Sequence, residues 1–291
     1  MRVLILSSDS ALGHALTRQL QRTGRHDCVF MTRAACRWKS ERQAKKAVVR
    51  AKCDSVVDLR VAGQADEGNQ LQELDLKRCH WVAKACQRSG STYLYVSSAR
   101  VFSGQLDRPY TEEDYPDNET SAGEMLATAE QLVRDSCERH LILRLGPVFS
   151  FEGTTLITQM LGQMEQRGGS LLMDNNLRGC PVAAEDGARV ISALLDQLST
   201  GLEVSGIYHY CSSETATYYE FAEALLASAS QFSEFDAGAV QLERQPEGLA
   251  PLNRSLDCSK IRNTFAIKQA PWRSAIAGVV KQYYQARANQ E

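Results

Sequence analysis

The sequence lacks several features that would place it quickly. No apolar run approaches the ~18–20 residues that a membrane-spanning helix needs. Met1-Arg-Val-Leu-Ile-Leu6 begins like a leader, but its apolar run stops at Ser7-Ser8-Asp9, which suits a buried first strand better. Charge of one sign is also missing. A net charge of −2 with mixed signs gives no reason to expect nucleic acid or an anionic membrane as partner. The nine cysteines are scattered singly, without a Cys-x-x-Cys or a His-rich neighbour. An odd count with no pairing pattern suits a reducing cytoplasm, with thiols acting as small core residues and no metal site. There is no internal repeat, no low-complexity tract and no Gly-x-Ser-x-Gly elbow, so a serine hydrolase is not indicated.

What is present is alternation. Short apolar runs at 2–6, 28–31, 55–59, 92–96 and 141–145 read as strands buried on both faces. Between them, 11–22, 43–52, 70–89 and 122–138 carry helical spacing or composition. Strands and helices alternating at this pace predict a Rossmann-like, doubly wound parallel α/β sheet over residues 1–146. After Gly146-Pro147 the pattern loosens. Helices are expected at 156–166, 183–198, 217–228, 257–263 and 272–286, with strands at 170–173 and 206–211 and a helix break at Gly168-Gly169. The stretch 230–251 reads as polar and irregular. Residues 147–291 are therefore expected to form a smaller C-terminal, substrate-type lobe with segments returning to the first domain.

The turn from first strand to first helix is Ser7-Ser8-Asp9-Ser10-Ala11-Leu12-Gly13. Dinucleotide-binding folds use glycines here for a tight turn, close approach to pyrophosphate and close helix packing. Only Gly13 remains of three at the usual spacing. Ser7, Ser10, Ala11, Leu12 and Gly13 are the candidate cofactor contacts, and Asp9 would set a negative charge beside a pyrophosphate. Arg33, after the second strand, suits the 2′-phosphate of NADP better than an acid would. A solvated arginine and an ordinary strand–helix turn are the bland alternatives.

Three further segments carry a family likeness. Tyr95-Val96-Ser97-Ser98-Ala99-Arg100-Val101-Phe102-Ser103-Gly104 resembles a Ser-Thr/Ser-Asp-Tyr-Val-Phe-x-Gly segment. The segment beginning Gly206-Ile207-Tyr208-His209-Tyr210 resembles Gly-x-Tyr-His…Thr-x-Tyr-(Asp/Glu), and Pro251-Leu252-Asn253-Arg254-Ser255-Leu256-Asp257-Cys258-Ser259-Lys260 resembles Arg-Pro-x-Asn-x-x-Leu-x-x-x-Lys. With residues 1–13, these are similar to the extended short-chain dehydrogenase/reductases, dTDP-4-dehydrorhamnose reductase group. Leu256 to Lys260 also resembles the regulatory beta subunit of methionine adenosyltransferase, from the same group.

The resemblance implies hydride transfer from a nicotinamide to a nucleotide-sugar ketone, with a Tyr-x-x-x-Lys pair as proton donor and a strand-tip Ser or Thr on the substrate oxygen. A phenol of ordinary pKa near 10 needs the cation to work near neutrality. Ser98 matches the strand-tip position. The pair falls on Ser121 and Met125, or on Ala122 and Leu126, and there is no lysine between Lys84 and Lys260. Asp58-Leu59-Arg60 stands for the family's Asn-Ala-Ala, leaving Asp58 and Leu59 as candidate cofactor neighbours. Asp75 stands for its helix asparagine, Ala99-Arg100 for its Asp-Tyr, and Ala250 for its arginine. Tyr110 and Tyr115 are candidate displaced phenols or loop packing residues. Arg100 is expected to pair on the surface with Asp107, Glu112 or Glu113, or else to replace the cation or hold an anionic ligand. His209 is expected in the core. The expectation is a retained fold with lost or altered chemistry: a regulatory or ligand-sensing protein, or else an NADP-dependent oxidoreductase with a displaced donor. A nucleotide-sugar or dinucleotide ligand is implied, and 70–89 and 122–138 are candidate helices for a homodimer or a partner enzyme.

Overall fold

A computed structural model describes residues 1–61, 71–166, 170–245 and 252–289. Gln70, the Gly168-Gly169 break, Ala250 and Pro251 lie outside the described residues. In chain order the first half runs β1 (Arg2–Leu6), α1 (Ala11–Thr23), β2 (Asp27–Met31), α2 (Glu41–Ala51), β3 (Ser55–Asp58), α3 (Glu73–Ser89), β4 (Thr92–Ser98), α4 (Ser121–Ser136) and β5 (His140–Leu145). The second half runs β6 (Val148–Phe149), α5 (Leu156–Met164), β7 (Ser170–Met173), β8 (Leu177–Gly179), β9 (Val182–Ala183), α6 (Ala184–Ser199), β10 (Gly206–Tyr210), β11 (Ala216–Thr217), α7 (Tyr218–Ala229), β12 (Gln241–Arg244), β13 (Leu252–Asn253), α8 (Ser259–Phe265) and α9 (Arg273–Ala288).

The main sheet has the order β10-β5-β4-β3-β1-β2 and every pairing in it is parallel. All seven residues of β4 are buried, as expected of an inner strand covered on both faces. Helices α1 and α6 pack together, and α2, α3 and α4 form a second packed set. The order reverses between β1 and β3, so a crevice opens beyond their carboxyl ends, where open α/β sheets bind ligands. Strand β10 ends the sheet. Its exposed edge is covered by side chains: Glu112 accepts the His209 amide at 2.9 Å and Lys260 Nζ donates to the Ile207 carbonyl at 2.8 Å.

Two hydrophobic clusters form. The larger follows the main sheet and takes in α6, β10 and α8. The smaller gathers Phe149, Ile157, Leu161, Phe221, Trp272 and Val280. The chain thus returns to the first cluster twice after building part of the second. At the joint, a Cβ on Gly146 would meet the Cys180 carbonyl oxygen at 2.0 Å, so only glycine lets the two segments approach there.

Several boundaries moved. Helix α3 starts at Glu73, where Asp75 accepts the Gln72 amide at 3.1 Å. Helix α8 runs two residues beyond the expected end, to Phe265, which closes the core against Tyr208. The stretch read as irregular contains β12, paired in parallel with β7. Gln-Leu-Glu-Arg carries one apolar residue and no audible alternation; its neighbour strand, remote in sequence, supplies the order.

Beneath the tip of β4 lies a charged network within the apolar core. Arg144 of β5 grips Glu130 of α4 through Nη2 at 2.6 Å and Nε at 3.0 Å, and both side chains are essentially inaccessible. Ser97 Oγ donates to Glu130 at 2.6 Å. Arg144 lies over the Phe102 ring at 4.9 Å. Removing one partner strands a buried charge, at a cost of about 3–5 kcal/mol, whereas replacing both with apolar residues is often nearly neutral. Glu130→Ala is therefore expected to lose about 3–5 kcal/mol in urea unfolding, and Glu130→Leu with Arg144→Leu to lose much less. Equal losses would show that the pair carries no coupling.

Candidate functional site

Ser98 ends β4. Its Oγ accepts the Arg100 amide at 3.3 Å and so caps the short 3-10 turn Ala99–Val101. The side chain is buried at 2 % exposure. Ala99 and Arg100, the next two residues, line a cleft of about 300 Å³ between the sheet and the second cluster. The other walls include Pro147, Gln159, Arg178, Tyr218, Phe221 and Arg254. Three guanidinium groups therefore border one cleft. Arg178 is held by Glu220 at 2.8 Å. Arg254 donates to the Ser103 carbonyl at 3.3 Å, and its amide to the Arg178 carbonyl at 2.8 Å. Burial first, and the charge of Arg100 second, pull the Arg254 pKa down. A cation destabilised by desolvation and like charge gains most from a bound anion.

Helix α4 begins at Ser121, with Thr120 capping the Gly123 amide at 3.2 Å. Gly123 packs so tightly on Asn118 that an added Cβ would lie 2.5 Å from its carbonyl oxygen. On the first turn and a half stand Ser121, exposed, and Ala122 and Met125, half-buried; Leu126 is fully buried in the core. Neither register puts a phenol or an ammonium here. Tyr110 is buried, stacked on Phe102 at 4.0 Å, with its hydroxyl accepting the Gly104 amide at 3.0 Å. Tyr115 is 89 % exposed. Both hold loop positions, and neither is bonded to Ser98. Lys260 sits over the Tyr208 ring at 4.7 Å on the sheet edge.

At the crevice, Ser7 adopts φ 63°, a torsion glycine would take without strain, and its buried hydroxyl has no hydrogen-bond partner. A Cβ on Gly13 would lie 2.4 Å from the Ser7 carbonyl oxygen, so the close helix packing survives. Ser10 Oγ accepts the Gly13 amide at 3.1 Å and donates to the Ser7 carbonyl at 2.9 Å. One of the helix's orphan donors is thus satisfied internally. Ala11 is half-buried, and Leu12 turns into the core. Asp9 accepts the Arg33 amide at 2.6 Å, tying the loop to the end of β2.

Beyond β3, Asp58 is fully buried and clamped by Arg60 at 2.6 and 2.9 Å, while Tyr93 donates to it at 2.5 Å. Burial would raise its pKa; the Arg60 charge and these hydrogen bonds outweigh that and hold it low. Arg60 also covers the Trp38 ring at 5.3 Å, and Trp38 is 6 % exposed. Leu59 is buried, with its amide on the Leu6 carbonyl at 3.2 Å. Arg60 and Trp38 thus pack on each other beyond the end of β3. At the N-terminus of α1, Asp9 sets a carboxylate where this fold usually offers backbone donors to a pyrophosphate. Among the described residues, no group of three or more His, Cys, Asp or Glu is placed to hold a metal ion, and no helix is long and apolar enough to cross a membrane.

Ser98 and Arg100 were legible as strand-tip residues, although Arg100 lies on the cleft wall. Sequence reasoning missed Arg178, Tyr218 and the cleft role of Arg254, which come from three remote segments. It also missed Glu130 and Arg144. The signal for the latter was a charge inside the apolar run Leu-Ile-Leu-Arg-Leu.

A parallel sheet with a strand-tip serine, a helix returning beneath it and a second lobe closing a cleft at the same end is the short-chain reductase architecture. The chain belongs to the family described as RmlD substrate binding domain, whose model matches residues 1–285. It is similar to dTDP-4-dehydrorhamnose reductase of Aggregatibacter actinomycetemcomitans, at 22% identity over 96% of this chain and 98% of that protein. Methionine adenosyltransferase 2 subunit beta of Xenopus laevis is 27% identical over 67% of this chain and 59% of that protein. The solved structure of a Bacillus anthracis dTDP-4-dehydrorhamnose reductase in complex with NADP superposes with a TM-score of 0.81, covering 97% and 99% of the two chains at 18% identity, a likeness of fold.

His209 joins the network under Ser98. Its Nδ1 lies 3.1 Å from the Tyr110 carbonyl and its Nε2 3.2 Å from Arg144 Nη1, so Nδ1 carries the proton and Nε2 accepts. Burial, then the Arg144 charge, lowers its pKa to about 3. The folded-state value is below the unfolded one, so this contribution to stability is full above about pH 6.5 and drains as pH falls toward 3. Unfolding midpoints in urea should fall between about pH 6.5 and 4.5, and His209→Asn should flatten that slope. An unchanged slope in the variant would place the acid sensitivity elsewhere.

Proposed function

We propose that this protein is a non-catalytic member of its reductase family that binds a nucleotide-sugar-like anion in the arginine-bordered cleft and works as a regulatory or ligand-sensing protein. The observation that carries this reading is α4. Where the family's proton-transfer pair falls, it presents Ser121 or Ala122 and Met125 or Leu126, and Leu126 is part of the core. Without a nearby cation, a phenol of ordinary pKa near 10 is a poor acid near neutrality, and here the phenol is missing too. The internally bonded Ser7–Gly13 loop, with Asp9 at the N-terminus of α1, supports the loss of dinucleotide chemistry. The cleft supports retained binding, because Arg100, Arg178 and Arg254 from separate segments converge on it. The relatives named above include a dTDP-4-dehydrorhamnose reductase and a subunit of another enzyme, and a subunit-like role suits this chain better. Such a role calls for a second copy or a partner enzyme, with α3 and α4 the candidate docking helices. The nine free thiols suit a reducing compartment such as the cytoplasm.

The test is turnover of dTDP-4-dehydrorhamnose with NADPH, beside calorimetry with dTDP-glucose. No turnover above background is expected, together with dTDP-glucose binding that Arg254→Ala weakens by about 10-fold or more, the size of a lost charge-assisted hydrogen bond. Turnover that Ser98→Ala abolishes would instead establish an NADP-dependent oxidoreductase with a displaced donor.

A further inference from the structure

Three cysteines meet where the segments of the chain rejoin. Cys211 follows β10, Cys258 precedes α8, and Cys180 lies between β8 and β9. Cys211 Sγ is 3.7 Å from Cys258 Sγ, although 47 residues separate them. Cys211 and Cys258 share the Leu256 carbonyl as acceptor, at 3.4 and 3.7 Å. Position 146 is glycine at this point: its missing Cβ would lie 2.0 Å from the Cys180 carbonyl oxygen and 3.2 Å from Cys211 Cβ. Cys211 thus lies against Cys258 on one side and, across Gly146, beside Cys180 on the other.

Most of the other thiols behave as small core residues. Burial pushes Cys79 up to about 12 and Cys36 to about 11, which leaves them inert. Cys180 differs in two ways. The neighbouring Cys211 side chain lowers its pKa against the effect of burial. Its chain neighbours Gly179 and Pro181 line the cleft, and it keeps 4 % exposure, beside 5 % for Cys258 and none for Cys211. A small oxidant arriving by the cleft meets Cys180 at the cleft wall, with Cys211 beside it to resolve the product.

We propose that Cys211 is the hub of a peroxide-responsive thiol lock, forming a disulfide with Cys180 or Cys258 that clamps the cleft wall and the returning 252–260 segment to the end of the sheet. The chemistry needs a peroxide. The Cys180 thiolate attacks one peroxide oxygen, the O–O bond breaks, and Cys180 becomes a sulfenic acid as hydroxide leaves and is protonated. Cys211 sulfur then attacks the Cys180 sulfur, the S–O bond breaks, and a second water forms with the Cys211 proton. Two thiols are oxidised by two electrons and the peroxide is reduced to two waters. Cys258 can next attack Cys211, moving the disulfide one step and freeing Cys180. The lock stands whether or not a ligand occupies the cleft.

Hydrogen peroxide treatment of the native full chain, alkylation of the remaining thiols and peptide mass mapping test this. A Cys211 cross-link to Cys180 or Cys258 is expected, reversed by dithiothreitol, with amide exchange in 177–183 and 256–262 slowed at least threefold. Cys258→Ala should leave only the Cys180–Cys211 link, and Cys211→Ala should abolish linkage among the three. The proposal is overturned if half-buried Cys28 oxidises while the three thiols remain alkylatable. It is equally overturned if the links match the scrambled set of the guanidinium-unfolded chain, if Cys211→Ala links Cys180 to Cys258, or if amide exchange is unchanged by the link.

Discussion

The pairing of Glu130 with Arg144 organises the end of the sheet where the site lies. It ties α4 to β5, and through Ser97 it reaches β4. Through Arg144 it reaches Phe102 and His209, and His209 carries the contact on to the Tyr110 loop. Each group satisfies the next, so a buried charge pair that would be costly alone becomes a rigid floor. The strand tip at Ser98 and the cleft wall at Arg100 rest on that floor. The helix that should carry proton-transfer residues is therefore held in its family position while presenting apolar side chains at its start.

A second buried pair shapes the other half. Asp58 and Arg60 neutralise each other beyond β3, with Tyr93 and Trp38 around them. Small residues after this strand would leave room at the crevice; an aspartate and an arginine demand partners and occupy it. The Ser7–Gly13 loop turns inward likewise, since Ser10 and Asp9 spend their hydrogen-bonding capacity on the chain itself. Arg100, Arg178 and Arg254 line one cleft. The family scaffold is thus retained with many polar groups bonded to the chain itself.

Much of the scaffold was legible because inner parallel strands write themselves as continuous apolar runs. Val3 to Leu6, Ser55 to Asp58 and Thr92 to Ser98 are buried throughout, and no distant partner is needed to recognise them. The helix 121–136 was legible for a similar reason: Ser121, Ala122, Met125 and Leu126 lie in it at fixed spacing. Strand β12 was not legible, because Gln241 to Arg244 has almost no pattern of its own and takes its conformation from β7.

The sequence by itself determined the class of fold, the position of the strand tip and the absence of a lysine from Lys84 to Lys260. These depend on local periodicity and on residue identity, which the chain carries in order. Only the tertiary structure decided where the charges and sulfurs meet. Arg100, Arg178 and Arg254 share a cleft, Glu130 finds Arg144, and Cys211 meets Cys258 with Cys180 beside it, through crossovers that bring remote segments to one end of the sheet. Such remote partners leave no periodic trace, because their meeting is set by packing rather than by spacing along the chain.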